Sequence, residues 1–113
     1  FSFCSGVVPF QSSSIYSALN QADILINTTS IGMHPNEDHT PIDTRLIPEG
    51  IIVSDIVYNP LKTKLLQIAE EKGCTIVNGF GMLAYQGAEA FRMWTGVEPP
   101  MDEMFSVVRT LKG

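Results

Sequence analysis

The sequence predicts an α/β protein built on a short parallel β-sheet of three or four strands. Short apolar runs rich in β-branched residues alternate along the chain with stretches whose apolar residues recur at helical spacing. The runs are almost continuously apolar, as expected of strands that are buried on both faces of a parallel sheet. Because the chain has 113 residues, we expect residues 1–113 to form a single domain.

Composition narrows the class of protein. The chain carries 7 Lys and Arg against 12 Asp and Glu, a formal net charge of −5, without a cluster of basic residues. Nucleic-acid binding is therefore not expected, and no apolar run approaches the ~20 residues of a membrane span. Residues 1–22 are uncharged but lack the basic start of a secretory signal. We expect a cytoplasmic protein in which Cys4 and Cys74 stay reduced.

The first half of the chain predicts one helix and one strand. Residues 1–10 are interpreted as a strand or loop, followed by a Ser-rich loop and a short helix that ends near Ala22. Residues 23–27 form an apolar run bounded by polar residues, which predicts the first strand. Residues 29–50 are acidic and repeatedly interrupted by proline, which is typical of a long connection that is either functional or partly structured.

The next segment predicts a strand followed by an amphipathic helix. Residues 51–58 form the second strand, which stops at the Asn-Pro pair of residues 59–60. Residues 61–72 form a helix, since apolar residues recur at i, i+4, i+7 and i+8. These residues are Leu61, Leu65, Ile68 and Ala69. Pro60 suits the first turn of this helix and Gly73 its C-terminus.

Three further elements are predicted after Gly73. Residues 75–78 form a brief third strand, which the Gly-Phe-Gly sequence at 79–81 interrupts. A helix follows through Trp94 and closes at Gly96. Its predicted core stripe is Leu83, Gly87, Ala90, Phe91 and Trp94. Two prolines then introduce a last helix, whose predicted buried face is Met101, Met104, Phe105, Val108 and Leu111.

Polar residues follow the predicted strands at the edge where ligands bind in open parallel sheets, beyond the carboxyl ends of the strands. Three segments of small or hydrogen-bonding residues reach this edge, at residues 27–30, 57–59 and 78–79. Their convergence predicts a binding site. The alternative is that they are ordinary turn-forming residues, which strand ends carry in any protein.

Two features of the segment after the third strand bear on this site. Residues 79–84 match the dinucleotide fingerprint G-x-G-x-x-G/A, but the second strand and the acidic residue that the fingerprint requires do not follow. We expect these glycines to permit a close approach of backbone instead. Gln86 lies four residues after Met82 on the same helical face. This pair suits a hydroxylated ligand beside an aromatic cofactor, the alternative being a solvated amide and a gap-filling methionine.

Metal ligation and nucleophilic catalysis find little support in the sequence. His34 and His39 share the acidic connection with Glu37 and Asp38, but nothing in their spacing fixes a coordination geometry. We therefore predict no metal site. Cys74 has no basic neighbour in the sequence, and no G-x-S-x-G motif marks an activated serine.

Five segments together resemble the shikimate dehydrogenase family. In chain order they are residues 27–33 (NTTSIGM), 55–60 (DIVYNP) with Thr63, 78–83 (NGFGML), 86–88 (QGA) and 94–96 (WTG). They occur in the family's order and span residues 22–100. Each motif alone is weak evidence for the family, but the set of five is specific to it. Residues 1–21 carry no motif of the family.

The resemblance implies a fold, a reaction and a cofactor. It implies the C-terminal portion of an NADP-binding Rossmann domain plus the final helices, in a partial three-layer α/β/α arrangement. It also implies an oxidoreductase of aromatic amino acid and chorismate biosynthesis, which reduces 3-dehydroshikimate to shikimate with NADPH. By the same resemblance, Tyr58 and Gln86 hydrogen-bond the substrate. The implied cofactor contacts are Thr28 near the ribose and, at the nicotinamide end, the main chain of Ile56, Gly79 and Met82.

The sequence also departs from the family pattern. No segment matches the family's catalytic Lys–Asp pair, its Gly-rich pyrophosphate turn or its basic patch for the 2′-phosphate, so we expect no turnover from this chain alone. NADP and shikimate are anions, and a chain of charge −5 offers few cations to meet them. Two alternatives stay open. One is an NAD-dependent quinate/shikimate dehydrogenase, and the other is a non-catalytic α/β protein that self-associates through an exposed sheet edge.

Overall fold

A computed structural model describes residues 6–110 of the chain. In chain order, the elements are α1 (Ser12–Leu19), β1 (Ile24–Asn27), β2 (Ile52–Asp55), α2 (Lys64–Glu71), β3 (Thr75–Val77), α3 (Phe80–Thr95) and α4 (Met101–Thr110). The strands form one parallel sheet in the order β1-β2-β3, which confirms the predicted fold class. Residues 6–10 form no helix or strand. The predictions for residues 1–5, which include Cys4, and for Leu111 lie outside the described residues.

Parallel pairing aligns the carboxyl ends of β1 and β2. Ile24 lies opposite Ile52, and Asn27 lies opposite Asp55 at the last position of both strands. Strand β3 pairs with β2 from Thr75, opposite Ile52. Two polar residues therefore stand side by side at the carboxyl edge of the sheet, where the sequence places the candidate site.

One face of the sheet is covered by α2 and by the connection that precedes β2. The buried cluster consists of Ile47, Val53, Leu65, Leu66, Ala69 and Cys74, with Leu25, Ile42, Ile51 and Ile76 packed against it. Each fully buried Leu or Val side chain contributes roughly 1.5–3 kcal/mol of transfer free energy. Cys74 is a free, buried thiol whose Sγ donates to the carbonyl oxygen of Pro48 at 3.3 Å. It therefore packs as a small apolar side chain.

The opposite face of the sheet is exposed. Ile24 and Ile26 of β1 keep 53% and 54% of their surface in solvent, and Val77 of β3 keeps 48%. The prediction that residues 23–27 are buried on both faces is therefore wrong for this structure. The reason is that no helix within residues 6–110 covers this face, so that even Ile52 of the central strand is exposed. Of the three implied layers, the described residues supply the sheet and one helical layer.

Side-chain hydrogen bonds shorten two of the predicted elements. Helix α2 begins at Lys64 rather than at residue 61, because the hydroxyl of Thr63 caps it by accepting the Leu66 amide at 3.3 Å. It ends as predicted before Gly73, which has φ +81°. Strand β2 ends at Asp55 instead of residue 58. The Asp55 carboxylate accepts a hydrogen bond from the Val57 amide, which is therefore not available to pair with a neighbouring strand.

Helix α1 begins earlier than predicted, because the serines at 12–14 form its first turn instead of a loop. The amide of Ile15 donates to the carbonyl oxygen of Gln11 at 2.9 Å. Helix α1 packs against a 3₁₀ turn at Thr44–Leu46, and this packing outweighs the modest helix propensity of serine. The turn also shows that the connection over residues 29–50 is partly structured, as one of the two predicted alternatives states.

The predicted core stripe of α3 is wrong at its end. Trp94 is 84% exposed, whereas the buried residues of this helix are Ala84 and Ala88. Helix α3 packs against α4, and its buried alanines fit a close approach between helices. The side that carries Trp94 has no cover among the described residues. Gly96, with φ +68°, ends the helix as predicted.

Helix α4 folds back onto the start of α3 through aromatic contacts. The ring of Phe105 stacks on Phe80 and meets Tyr85 edge-on, each with centroids 5.5 Å apart. Of its predicted buried face, Met101, Met104, Phe105 and Val108 are half-buried. No helix within residues 6–110 is long and apolar enough to cross a membrane.

Candidate functional site

A buried carboxylate organises the carboxyl edge of the sheet. Asp55 is 1% exposed. Its Oδ1 accepts from Asn27 Nδ2 at 3.1 Å and from the Val57 amide at 3.0 Å. Its Oδ2 accepts from the Thr63 hydroxyl at 2.8 Å. A buried charge is tolerated only when its oxygens are hydrogen-bonded, and here neutral donors satisfy both oxygens.

Asn27 carries this network into the loop that follows β1. Its Oδ1 accepts from the amide and the hydroxyl of Thr29, at 3.0 and 2.7 Å. Its Nδ2 also donates to the carbonyl oxygen of Ile31 at 3.2 Å. Thr28 lies between two anchored residues and its side chain is exposed. The loop therefore has a fixed shape and presents Thr28 to solvent.

The segments after β2 and β3 meet backbone to backbone. Gly79 is buried at the N-cap of α3. A Cβ atom at this position would overlap the carbonyl oxygen of Ile56 and lie 2.8 Å from that of Val57. Glycine is required by this close approach and not by its φ of −81°, which any residue adopts. The expected close approach of backbone at the glycine segment is thus found at Gly79.

Ile56 also connects this contact to the loop after β1, because its amide donates to the carbonyl oxygen of Asn27 at 3.1 Å. Three of the predicted cofactor-contacting residues therefore belong to one packed unit. They are Thr28, Ile56 and Gly79, which lie within two residues of the ends of β1, β2 and β3 respectively. This is the edge at which open α/β sheets bind ligands.

The remaining predicted residues lie on exposed surface around this unit. Met82 is 57% exposed in the first turn of α3, and Gln86 is exposed one turn later, where its Nε2 donates to the Leu83 carbonyl oxygen at 2.9 Å. Tyr58 is 39% exposed, and within residues 6–110 its hydroxyl makes no hydrogen bond. The structure thus leaves these three side chains accessible to a ligand and does not join Tyr58 to Gln86.

Arg109 brings a positive charge to the end of β3. Its guanidinium lies over the ring of Phe80, with Cζ 5.6 Å from the centroid. Together with Leu61, Asn78 and Phe80, it lines a cavity of about 430 Å³. Sequence reasoning missed this residue, because no local pattern shows that α4 returns to the start of α3.

In the acidic connection, His34 and Glu37 form a hydrogen-bonded pair. His34 Nδ1 lies 2.8 Å from Glu37 Oε2, and both side chains are exposed. In the part of the chain that the structure describes, no three His, Cys, Asp or Glu residues are grouped so as to hold a metal ion.

Most of the chain is similar to known proteins. Residues 79–109, which include Gly79, Met82 and Gln86, match the family model described as the shikimate 5'-dehydrogenase C-terminal domain. A shikimate dehydrogenase (NADP(+)) from Methanosarcina mazei is 54% identical over 90 residues, covering 80% of this chain. The chain belongs to the shikimate dehydrogenase family. It spans about a third, 32%, of the length of that relative.

Solved structures of the shikimate dehydrogenase family share the fold of this chain. The enzyme from Thermus thermophilus in complex with NADP(H) and shikimate is 38% identical, with a TM-score of 0.76 over 85% of this chain and 36% of that one. A quinate dehydrogenase from Corynebacterium glutamicum in complex with NAD is 32% identical, with a TM-score of 0.78 over 88% of this chain and 35% of that one.

Proposed function

We propose that this chain supplies the nicotinamide-side and substrate-orienting part of an NADP-dependent shikimate dehydrogenase. The reaction is the reduction of 3-dehydroshikimate to shikimate, a step of chorismate and aromatic amino acid biosynthesis. The observation that carries the proposal is the convergence of Thr28, Ile56 and Gly79 at one edge of the sheet. These are three of the four residues that the family resemblance assigns to the cofactor; the fourth is Met82.

The residues at this edge fit a bound dinucleotide. Gly79 has no side chain, so its backbone packs directly against that of Ile56, and the exposed Met82 side chain offers a soft apolar contact nearby. We assign Thr28 to the ribose, and the Ile56 main chain, Gly79 and Met82 to the nicotinamide end. NADPH, when bound, supplies the hydride for the substrate ketone.

We assign Tyr58 and Gln86 to hydrogen bonds with the hydroxyl groups of the substrate. The Tyr58 hydroxyl makes no hydrogen bond within residues 6–110, and the Gln86 amide oxygen stays available when its Nε2 donates to Leu83. Both side chains can therefore hydrogen-bond a polyhydroxylated ring. Their role is to orient the substrate, which raises the rate by holding the reacting atoms in place.

We place the proton-transfer step outside this chain. The Lys–Asp pair expected for that step matches no segment here, and the chain spans 32% of its relative from Methanosarcina mazei. The protein would thus act as the C-terminal portion of an NADP-binding Rossmann domain with the last helices. A buried, reduced Cys74 agrees with a cytoplasmic location. The chain alone is expected to show no turnover.

Two observations favour alternative functions. The likeness to a quinate dehydrogenase that holds NAD supports an NAD-dependent quinate/shikimate enzyme. The exposed face and free edge of β1, with Ile24 and Ile26, support self-association of a non-catalytic α/β protein.

A chimera tests the proposal: this chain replaces the matching C-terminal part of the Methanosarcina mazei relative. We expect the chimera to reduce NADP with shikimate as substrate and to prefer shikimate over quinate. A preference for quinate favours the first alternative. Since the relative's own part supplies the 2′-phosphate contacts, this experiment tests the choice of substrate and not the choice of cofactor. A folded chimera that oxidises neither compound contradicts the proposed function.

A further inference from the structure

The proposed function assigns no role to Asp55, which is a buried carboxylate. It is 1% exposed, lies at the last position of β2, and has no Lys, Arg or His among its hydrogen-bond partners within residues 6–110. Removing a carboxylate from water is unfavourable, and an apolar residue at the end of an apolar strand avoids that cost. The residue therefore calls for an explanation beyond packing.

The two oxygens of Asp55 serve different parts of the fold. Oδ1 receives both the Asn27 side chain and the Val57 amide, so a single atom joins the loop after β1 to the segment after β2. Oδ2 receives the hydroxyl of Thr63, which in turn accepts the Leu66 amide and caps α2. One oxygen thus connects the two segments of the candidate site, and the other holds a helix end.

Both segments carry residues assigned to ligands. Asn27 fixes the loop around Thr28 through its bonds to the amide and the hydroxyl of Thr29. The Val57 amide lies between Ile56 and Tyr58, so its bond to Asp55 sets the direction in which the chain leaves the sheet. A shift of Oδ1 therefore moves the cofactor-side and substrate-side residues relative to each other.

An amide cannot replace this carboxylate. Donors approach both oxygens of Asp55, and asparagine has only one acceptor oxygen. If that oxygen faces Asn27 and Val57, the new NH₂ group meets the hydroxyl of Thr63. That hydroxyl already accepts from Leu66 and loses the acceptor for its own hydrogen. The substitution is nearly isosteric, so it disturbs the hydrogen bonds with little change in packing volume.

We propose that Asp55 is a positioning residue that holds the Thr28 loop and the Ile56–Tyr58 segment in the relative positions that hydride transfer requires. This inference rests on the proposed function. A purely structural role predicts loss of stability alone, whereas a positioning role predicts slower turnover of enzyme that is still folded.

The test uses the chimera and four variants, with kcat, the KM for NADP and the melting temperature measured for each. Asp55→Asn removes one acceptor of the network, and Thr63→Val removes the helix cap and only the Oδ2 bond. Thr29→Val loosens the Thr28 loop without a change in the core. Asp23→Asn is the matched control, because Asp23 is an exposed carboxylate at the opposite end of β1.

We expect Asp55→Asn and Thr29→Val to lower kcat by roughly tenfold or more, since small misplacements of reacting groups have effects of this size. The KM for NADP is expected to change less than kcat, because the pyrophosphate and 2′-phosphate contacts lie outside this chain. Thr63→Val is expected to lower the melting temperature with a small effect on kcat, and Asp23→Asn to change neither.

The inference is overturned if kcat falls in Thr63→Val as much as in Asp55→Asn, or if Asp55→Asn melts lower at unchanged kcat. If Asp55→Asn does not fold, Thr29→Val decides, and an unchanged kcat in that variant overturns the inference. An inactive unsubstituted chimera contradicts the proposed function itself, so the two failures are distinguishable.

Discussion

The carbonyl oxygen of Ile56 occupies the space in which a side chain at Gly79 would lie. This contact fixes the distance between the ends of β2 and β3, and it places the first turn of α3 directly against the segment after β2. Because Gly79 has φ −81°, glycine is needed here for its size alone. The structure therefore explains the glycine at the second position of the motif formed by residues 78–83.

The first prediction concerns Gly79→Ala. The added methyl group must displace the backbone of Ile56 or Val57, and overpacking of this kind costs roughly 1–3 kcal/mol of folding free energy. Denaturant unfolding of the chimera measures this loss. The displaced Ile56 also belongs to the proposed nicotinamide contacts, so we expect kcat to fall as well.

Gly87→Ala is the matched control for this substitution. Gly87 lies within α3, and a Cβ atom there meets no atom within 4 Å. Alanine in a helix interior is more favourable than glycine by about 0.5–1 kcal/mol, so we expect this variant to be more stable. A Gly79→Ala protein that is as stable and as active as Gly87→Ala contradicts the close contact.

The second prediction concerns the hydroxyl of Tyr58. In the chimera, Tyr58→Phe is expected to raise the KM for shikimate roughly 2–10-fold, since a hydrogen bond between neutral groups contributes about 0.5–1.5 kcal/mol. Tyr85→Phe is the control, because Tyr85 packs against Phe105 and has no assigned ligand. Equal KM values for the two variants argue against Tyr58 as a substrate contact.

The third prediction concerns pH. A side-chain hydrogen bond from Arg45, with Nη2 2.7 Å from Asp43 Oδ2, is the main cause that lowers the pKa of Asp43 to about 2 from its ordinary value of 3.8. Because the pKa is lower in the folded state, the pair contributes stability above pH 3.8, and this contribution disappears as the pH falls towards about 2. Arg45→Met should raise the pKa of Asp43 towards 3.8.

An NMR titration of the side-chain carboxyl carbons measures this change. Lys62→Met serves as the control, because Lys62 forms a separate exposed ion pair with Glu70 at 2.8 Å. The pKa of Asp43 should be unchanged in that variant. An Asp43 pKa that stays at about 2 in Arg45→Met shows that the guanidinium is not its cause.

The fourth prediction concerns the exposed face of the sheet. Ile26 is 54% exposed next to Ile24 on a strand with one free edge, and such edges favour association. The average mass of the isolated chain in light scattering should rise with concentration, and Ile26→Lys should suppress the rise. Met93→Lys, at an 80% exposed site on α3, should leave it unchanged. A monomer at all concentrations contradicts self-association.

Periodicity and strand-end residues predict much of the fold. Residues 23–27 and 75–78 appear as β1 and β3 within one residue, because each apolar run is bounded by residues that favour turns. Gly73 and Gly96 end their helices as predicted, because both adopt positive φ. These signals are local, and a single sequence contains them in full.

The errors arise where a distant partner decides the structure. Trp94 fits the apolar spacing of α3, yet it is exposed because α4 packs against another side of the helix. The early end of β2 depends on the Asp55 carboxylate, which accepts the Val57 amide and is itself held by Asn27 and Thr63 from two other segments. The sequence does contain one signal for the role of Asp55. A charged residue inside an apolar run requires hydrogen-bond partners, and these partners must come from other segments of the chain.

Shikimate-dependent reduction of NADP, measured side by side on the chimera and on this chain alone, tests the central claim most directly. We predict that the chimera turns over and that the isolated chain does not, because the chain supplies cofactor and substrate contacts without the proton-transfer pair. Turnover by the isolated chain contradicts the placement of that pair elsewhere. A folded chimera without activity contradicts the assignment of this edge of the sheet to NADP and shikimate.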